Sequence, residues 1–187
     1  MSTAVATGTA PMLASLNRAD AAGFAAALSG VFEHAPWVVE AVAGQRPFAD
    51  TAHLHSALIG VLRALPEPAL VDFLCLHPEL AGDAARAGTM TDDSQREQAG
   101  LALGRLPPAQ AARWDAMNAA YRARFGFPFI LCIRRHTLAS ASAAFEARLN
   151  RSRTQELDAA LDEITAISAL RLAERLGTPA AALSSRG

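Results

Sequence analysis

Phe73-Leu74-Cys75-Leu76-His77-Pro78-Glu79-Leu80-Ala81-Gly82, and a little further on Thr91-Asp92-Asp93-Ser94-Gln95-Arg96-Glu97-Gln98, are the segments on which the reading of this chain turns. The first begins as an apolar helical run. Pro78 disfavours helical geometry in the residue before it, so His77 belongs at or past the helix end. Asp83 to Met90 reads as a polar loop, and a helix restarts near Thr91 and runs to Leu103-Gly104. A histidine at the end of a buried helix would thus face a carboxylate at the start of the next. We read His77 and Glu97 as a candidate active site, and most of the remaining chain as an α-helical box that holds it.

Composition fits that box. The 187 residues suffice for one domain with a sizeable core. We expect a frayed tail over residues 1–15 and a helical domain over 16–180. Apolar residues make up 51% and charged ones 19%, a soluble globular balance. A net charge of −1 gives no basic surplus for nucleic acid or an anionic membrane. Alanine is abundant and β-branched residues are sparse, which favours helix. No apolar run approaches the roughly eighteen residues of a membrane span. The first dozen residues lack the basic-then-apolar order of a signal peptide, and the final Ser-Ser-Arg-Gly is not a peroxisomal address, so a cytoplasmic protein is expected. Cys75 and Cys132 both sit in apolar runs and are expected to be reduced, buried thiols.

The helical period recurs along the chain. Asn17 can cap a helix with Ala21, Phe24, Leu28 and Val31 on its apolar face. Pro36 opens a short helix that Gly44 closes. Asp50 or Thr51 caps a third, with the stripe Leu54, Leu58, Val61, Leu62 and Leu65. Pro66 and Pro68 introduce Ala69–Leu76. Pro107-Pro108 starts a helix with Trp114, Met117 and Tyr121 on one face, which Gly126 ends. Phe127 to Ile133 is too short for a core helix and reads as a buried extended segment. Leu138, Ala141, Phe145 and Leu149 mark the next helix, and the last runs from Thr154 to about Leu176. About eight helices, no repeat and no long linker result: an all-α fold in one compact domain.

Three polar features break the apolar pattern. Ser94, Glu97 and Gln98 share one helix face, whose next member is Leu101. Ser-x-x-Glu is also the signature of a capping box, which is the commoner meaning of that spacing. Arg171 falls on the stripe Leu157, Leu161, Ile164 and Ser168 of the last helix, where it must either snorkel to the surface or meet an anion. His77 follows an apolar run, where a histidine is more often a hydrogen-bonded core residue than a catalyst. His53 and His55 are two apart on a helix and point different ways. No His-Glu-x-x-His spacing, Walker loop, dinucleotide fingerprint or nucleophile elbow is present, so no metal site is expected.

Taken in order, several segments resemble the 2-oxo-4-hydroxy-4-carboxy-5-ureidoimidazoline (OHCU) decarboxylase family of uric acid breakdown. They are Phe32-Glu33-His34-Ala35-Pro36-Trp37, Arg46-Pro47-Phe48, His77 to Gly82, Ser94 to Leu101, Asn118 to Phe129, Arg148-Leu149-Asn150, Glu156, and Ile167 to Leu172. The resemblance implies an all-α fold, no cofactor, and a homodimer that converts OHCU to (S)-allantoin in purine catabolism. It assigns the catalytic pair to His77 and Glu97. It assigns substrate contacts to Pro78, to Ser94, Gln95, Arg96, Glu97 and Gln98, to Phe129, Ile130, Leu131, Cys132 and Ile133, and to Arg171. Two other classes stay open: a non-catalytic helical module that binds a ureide, and an interaction domain that uses Trp37 or Trp114.

Overall fold

The computed structural model describes residues 11–179; the N-terminal stretch expected to fray lies mostly outside them. Among the described residues the architecture is all-α, with ten helices and no strand. Contacts group them into two compact units. One comprises residues 11–32, 36–62 and 168–179 of the described chain, the other 33–35 and 63–167.

The first unit holds α1 (Pro11–Arg18), α2 (Ala21–Ala27), α3 (Pro36–Val42) and α4 (Thr51–Arg63) up to Leu62. The helix expected to be capped by Asn17 starts later, at Ala21, and a further helix, α1, precedes it. Asp20, in extended geometry, accepts the Gly23 N–H at 2.7 Å and starts α2 afresh. Asn17 lies inside α1 instead, where its amide exchanges two 2.9 Å hydrogen bonds with the Phe48 backbone. Leu28 and Val31 remain buried beyond the end of α2. Phe24 stacks on Phe48 and carries the Arg46 guanidinium 4.9 Å from its ring centre. Asp50 caps α4 by accepting the His53 N–H at 2.7 Å, and Leu54, Leu58 and Leu62 are fully buried along its stripe.

The second unit contains α5 (Glu67–Leu74), α6 (Asp83–Ala87), α7 (Asp92–Ala99), α8 (Pro108–Phe125), α9 (Leu138–Arg148) and the first part of α10 (Arg153–Leu176). The expected loop after Gly82 contains α6, five residues closed by Gly88 at φ +67°. This helix and α1 account for ten helices where about eight were read. The helix from Thr91 is shorter than expected. It ends at Ala99, and a 3-10 turn over Leu103–Arg105 follows Ala102 at φ +53°.

The core of this unit is aromatic. Tyr121, Phe125, Phe127, Phe129 and Phe145 are buried together, with Phe129 and Phe145 stacked at 3.9 Å and Trp114 edge-on to Phe145. Each such pair adds about 0.5–1.5 kcal/mol to the burial itself. Gly126, at φ +82°, ends α8 in the left-handed conformation, as its position in the sequence predicts. The chain then runs through the buried, non-helical Phe127 to Cys132.

Candidate active site

His77 stands where Pro78 forces it to. α5 stops at Leu74, and the His77 N–H makes a last turn-like bond of 3.1 Å to the Leu74 carbonyl. The imidazole is buried and edge-on to Phe73, with ring centres 5.9 Å apart. The loop that follows is held at nearly every peptide. Gln98 accepts the Ala81 N–H at 3.0 Å and donates to the Glu79 carbonyl at 3.4 Å. Asn118 donates to the Leu80 carbonyl at 2.9 Å, and Arg86 to the Ala81 carbonyl at 2.7 Å. Arg122 pairs with the Glu79 carboxylate at 2.9 Å. These bonds hold Ala81 at φ +54°, a conformation that costs an L-residue about 1–2 kcal/mol.

α7 does not begin with a Ser94–Glu97 capping box. Thr91 is the cap, its hydroxyl accepting the Ser94 N–H at 3.4 Å. The Ser94 hydroxyl instead donates to Glu33 at 2.9 Å, and the Thr91 hydroxyl donates to the other oxygen of the same carboxylate at 2.6 Å. Glu33 is 1% exposed. Its charge is placed at a helix N-terminus, where the aligned peptide dipoles favour an anion. Glu97 is therefore not engaged in capping this helix. It is half-buried and close enough to Cys132 to act on its thiol. Burial raises that thiol from 9.0 to about 11; Arg135 and Arg134 oppose the shift, while Glu163 and Glu97 add to it.

Gln95 folds back, its amide donating to the Gly88 and Met90 carbonyls. Arg96 is exposed and paired with Asp93. A cleft of about 520 Å³ opens along the neighbouring face of α7, with Gln95, Gln98, Met90, Arg86 and Arg105 in its wall. Phe129, Ile130, Leu131, Cys132 and Ile133 are all buried. Arg148 donates to the Ile130 carbonyl at 2.8 Å, and Glu163 accepts the Cys132 N–H at 2.8 Å. Arg148 also pairs at 2.8 Å with Glu156, which the Tyr121 hydroxyl reaches as well.

The second unit thus brings together the His77 loop, the Glu97 helix and the Phe129–Ile133 segment. Arg171 belongs to the first unit. It does not snorkel: it is 3% exposed and donates to the Gly30 carbonyl at 3.3 Å. Nearby in that unit His55, also buried, bonds Ser168 at 3.0 Å. Cys75 departs from expectation, being exposed at the C-terminal end of α5 with only a 3.5 Å contact to the Gly126 carbonyl. Helix α5 ends before Cys75 can turn inward.

A family model described as OHCU decarboxylase matches residues 17–173. The chain belongs to the OHCU decarboxylase family. It is 37% identical over 159 residues to the 2-oxo-4-hydroxy-4-carboxy-5-ureidoimidazoline decarboxylase of Halalkalicoccus jeotgali, covering 85% of this chain and 88% of that protein. It is 36% identical to the uric acid degradation bifunctional protein PucL of Bacillus subtilis, over 85% of this chain and 31% of that longer protein. Among solved structures, an (S)-allantoin synthase superposes with a TM-score of 0.70 at 26% identity, covering 87% of this chain and 53% of that one.

Within the OHCU decarboxylase fold, three groups escaped sequence reading as site-builders: Glu33, Asn118 and Glu163. Asn118 had a visible signal, since a polar residue on the Trp114–Met117–Tyr121 face needs a partner. Glu33 had a weaker one, an acid directly after the apolar Val31-Phe32. Glu163 sits among charged neighbours on α10, and nothing in its spacing sets it apart.

Proposed function

We propose that this chain decarboxylates OHCU to (S)-allantoin without a cofactor, with His77 as general acid–base, Glu97 as its orienting acid, and Arg171 binding a polar oxygen of the substrate. One observation carries the reading. In a member of the OHCU decarboxylase family, the helix bearing Glu97 is hydrogen-bonded, through the very next residue, to the loop that follows His77. An acid and an imidazole on two elements fixed to each other suit proton transfer.

The substrate supplies its own electron sink. Its carboxylate and hydroxyl share one ring carbon, and the adjacent ring carbon is an imine bearing the ureido group. When the carbon–carboxylate bond breaks, its electron pair forms a double bond to that neighbour, and the imine nitrogen takes up charge. A proton delivered to the ureido-bearing carbon from one face, as the hydroxyl becomes a carbonyl, then yields a single enantiomer. An imidazole, whose unperturbed pKa lies near neutrality, is the side chain suited to deliver it. Pro78 and Phe129 wall off water, and the backbone of Ile130 to Ile133 offers amide groups to a flat, amide-rich ligand. Ser94 to Gln98 form another wall of the proposed substrate site, with the polar ends of Ser94 and Gln98 already anchored in the protein. A homodimer is part of this proposal, and light scattering of the purified chain tests it.

The test is an assay with freshly generated substrate, followed by circular dichroism of the product. Wild-type chain should produce a one-handed allantoin signal faster than the spontaneous racemic decay. Decay at the uncatalysed rate, with ligand nevertheless bound, would make the chain a ureide-binding module instead.

A further inference from the structure

We propose that Glu163, seconded by Arg148, is a positioning residue for substrate: the two fix and polarise the Leu131 peptide groups so that these meet the ureide. This deepens the decarboxylase reading and rests on it for the identity of the ligand.

The Arg148 guanidinium holds the Ile130 carbonyl and the Glu163 carboxylate holds the Cys132 N–H, both at 2.8 Å. Across a trans peptide the C=O and N–H point in opposite directions. The Leu131 N–H therefore points away from the Ile130 carbonyl, and the Leu131 carbonyl points away from the Cys132 N–H. In each of these two peptides the charge holds one group, and the opposite side carries a group of Leu131: a donor in the first and an acceptor in the second. That pairing is complementary to the N–H and C=O of a ureido group or a cyclic amide.

The charges also strengthen what they orient. A cation on the Ile130 oxygen draws electrons from its peptide and makes the Leu131 N–H a better donor. An anion on the Cys132 N–H makes the Leu131 carbonyl a better acceptor. The Leu131 carbonyl already accepts the Ile133 N–H at 2.8 Å, around Cys132 at φ −72°, ψ 77°, the geometry of an inverse γ-turn. Its second lone pair remains able to accept. Arg148 is further locked by Glu156 and lies over the Phe129 ring at 4.7 Å, so its end of the grip is rigid. Glu163 is half-buried, whereas Arg148 is buried and paired with Glu156, so Glu163 is the member that can be altered while the fold survives.

The experiment compares Glu163→Ala and Glu163→Gln in the full chain. Three readouts are used: steady-state kinetics, calorimetric titration with (S)-allantoin, and amide hydrogen exchange at Cys132. Glu163→Gln keeps an acceptor oxygen and should stay within a few-fold of wild type. Glu163→Ala should raise KM about ten-fold with a much smaller fall in kcat, weaken allantoin binding by a similar factor, and speed exchange at Cys132. Faster exchange with unchanged KM and unchanged binding reduces Glu163 to a structural role and overturns the proposal, as does slow exchange in the alanine variant. If the wild-type chain produces no allantoin, the decarboxylase reading falls by itself. The calorimetric comparison then decides the positioning role: weaker binding in Glu163→Ala sustains it, and equal binding ends it.

Discussion

Glu33 carries a carboxylate almost out of reach of water and spends both oxygens on hydroxyls of one helix turn, Thr91 and Ser94. Removing it takes a charged acceptor away from both hydroxyls. Glu33→Ala should therefore cost about 2–4 kcal/mol in urea unfolding, while Glu33→Gln, which can still accept one bond, should cost clearly less. Equal losses in the two variants would deny the carboxylate this role. Cys132 and Cys75 make a second contrast at this scale. Because burial holds the Cys132 thiol near 11, it stays protonated at pH 8, so a thiol reagent should label Cys75 alone until the protein unfolds. The same shift sets a sign for alkaline stability. The unfolded thiol ionises near 9.0 and the folded one near 11, so this contribution is intact below pH 9 and is lost as pH rises toward 11. Cys132→Ala should show a shallower alkaline decline in that window. None of these residue-level roles was legible from spacing. The Ser94–Glu97 spacing pointed to a capping box, and only a carboxylate sixty-one positions away from Ser94 in sequence turned the hydroxyl to another use.

Elements were far easier to read than their contacts. The ends of α5 and α8, the start of α4 and the buried passage from Phe127 all follow from proline, glycine and the apolar period, which act through the local backbone. The errors also have local causes. Asp20, not Asn17, caps the helix that carries the first apolar stripe, and α6 is too short for a period to reveal it. What no period can convey is how the elements are pinned to one another. The His77 loop depends on Gln98 and Asn118, and the Phe129–Ile133 segment on Arg148 and Glu156. Arg148→Met would leave Glu156 buried without its nearest cation. A loss of about 3–5 kcal/mol is expected, read as a lower urea midpoint. A change below about 1 kcal/mol would mean that the pair is not what holds this segment.

At the scale of the molecule, the chain was read as one helical box, and its contacts group into two units. The helix α10 runs through both, with Glu163 in one and Arg171 in the other. Arg171 was visible in the sequence as a cation on an apolar stripe. Its burial removes the snorkelling alternative and makes Arg171→Met an informative variant: KM should rise by about ten-fold or more, since a buried guanidinium fork is hard to replace. An interaction domain built on Trp114 is also set aside, because that ring is buried against Phe145, while Trp37 is 37% exposed. The most direct test of the whole account is turnover by His77→Asn, with formation of (S)-allantoin followed by circular dichroism. Loss of at least about a hundred-fold in kcat, with an unfolding transition close to wild type, is the predicted result. One-handed allantoin formed at the wild-type rate would contradict it.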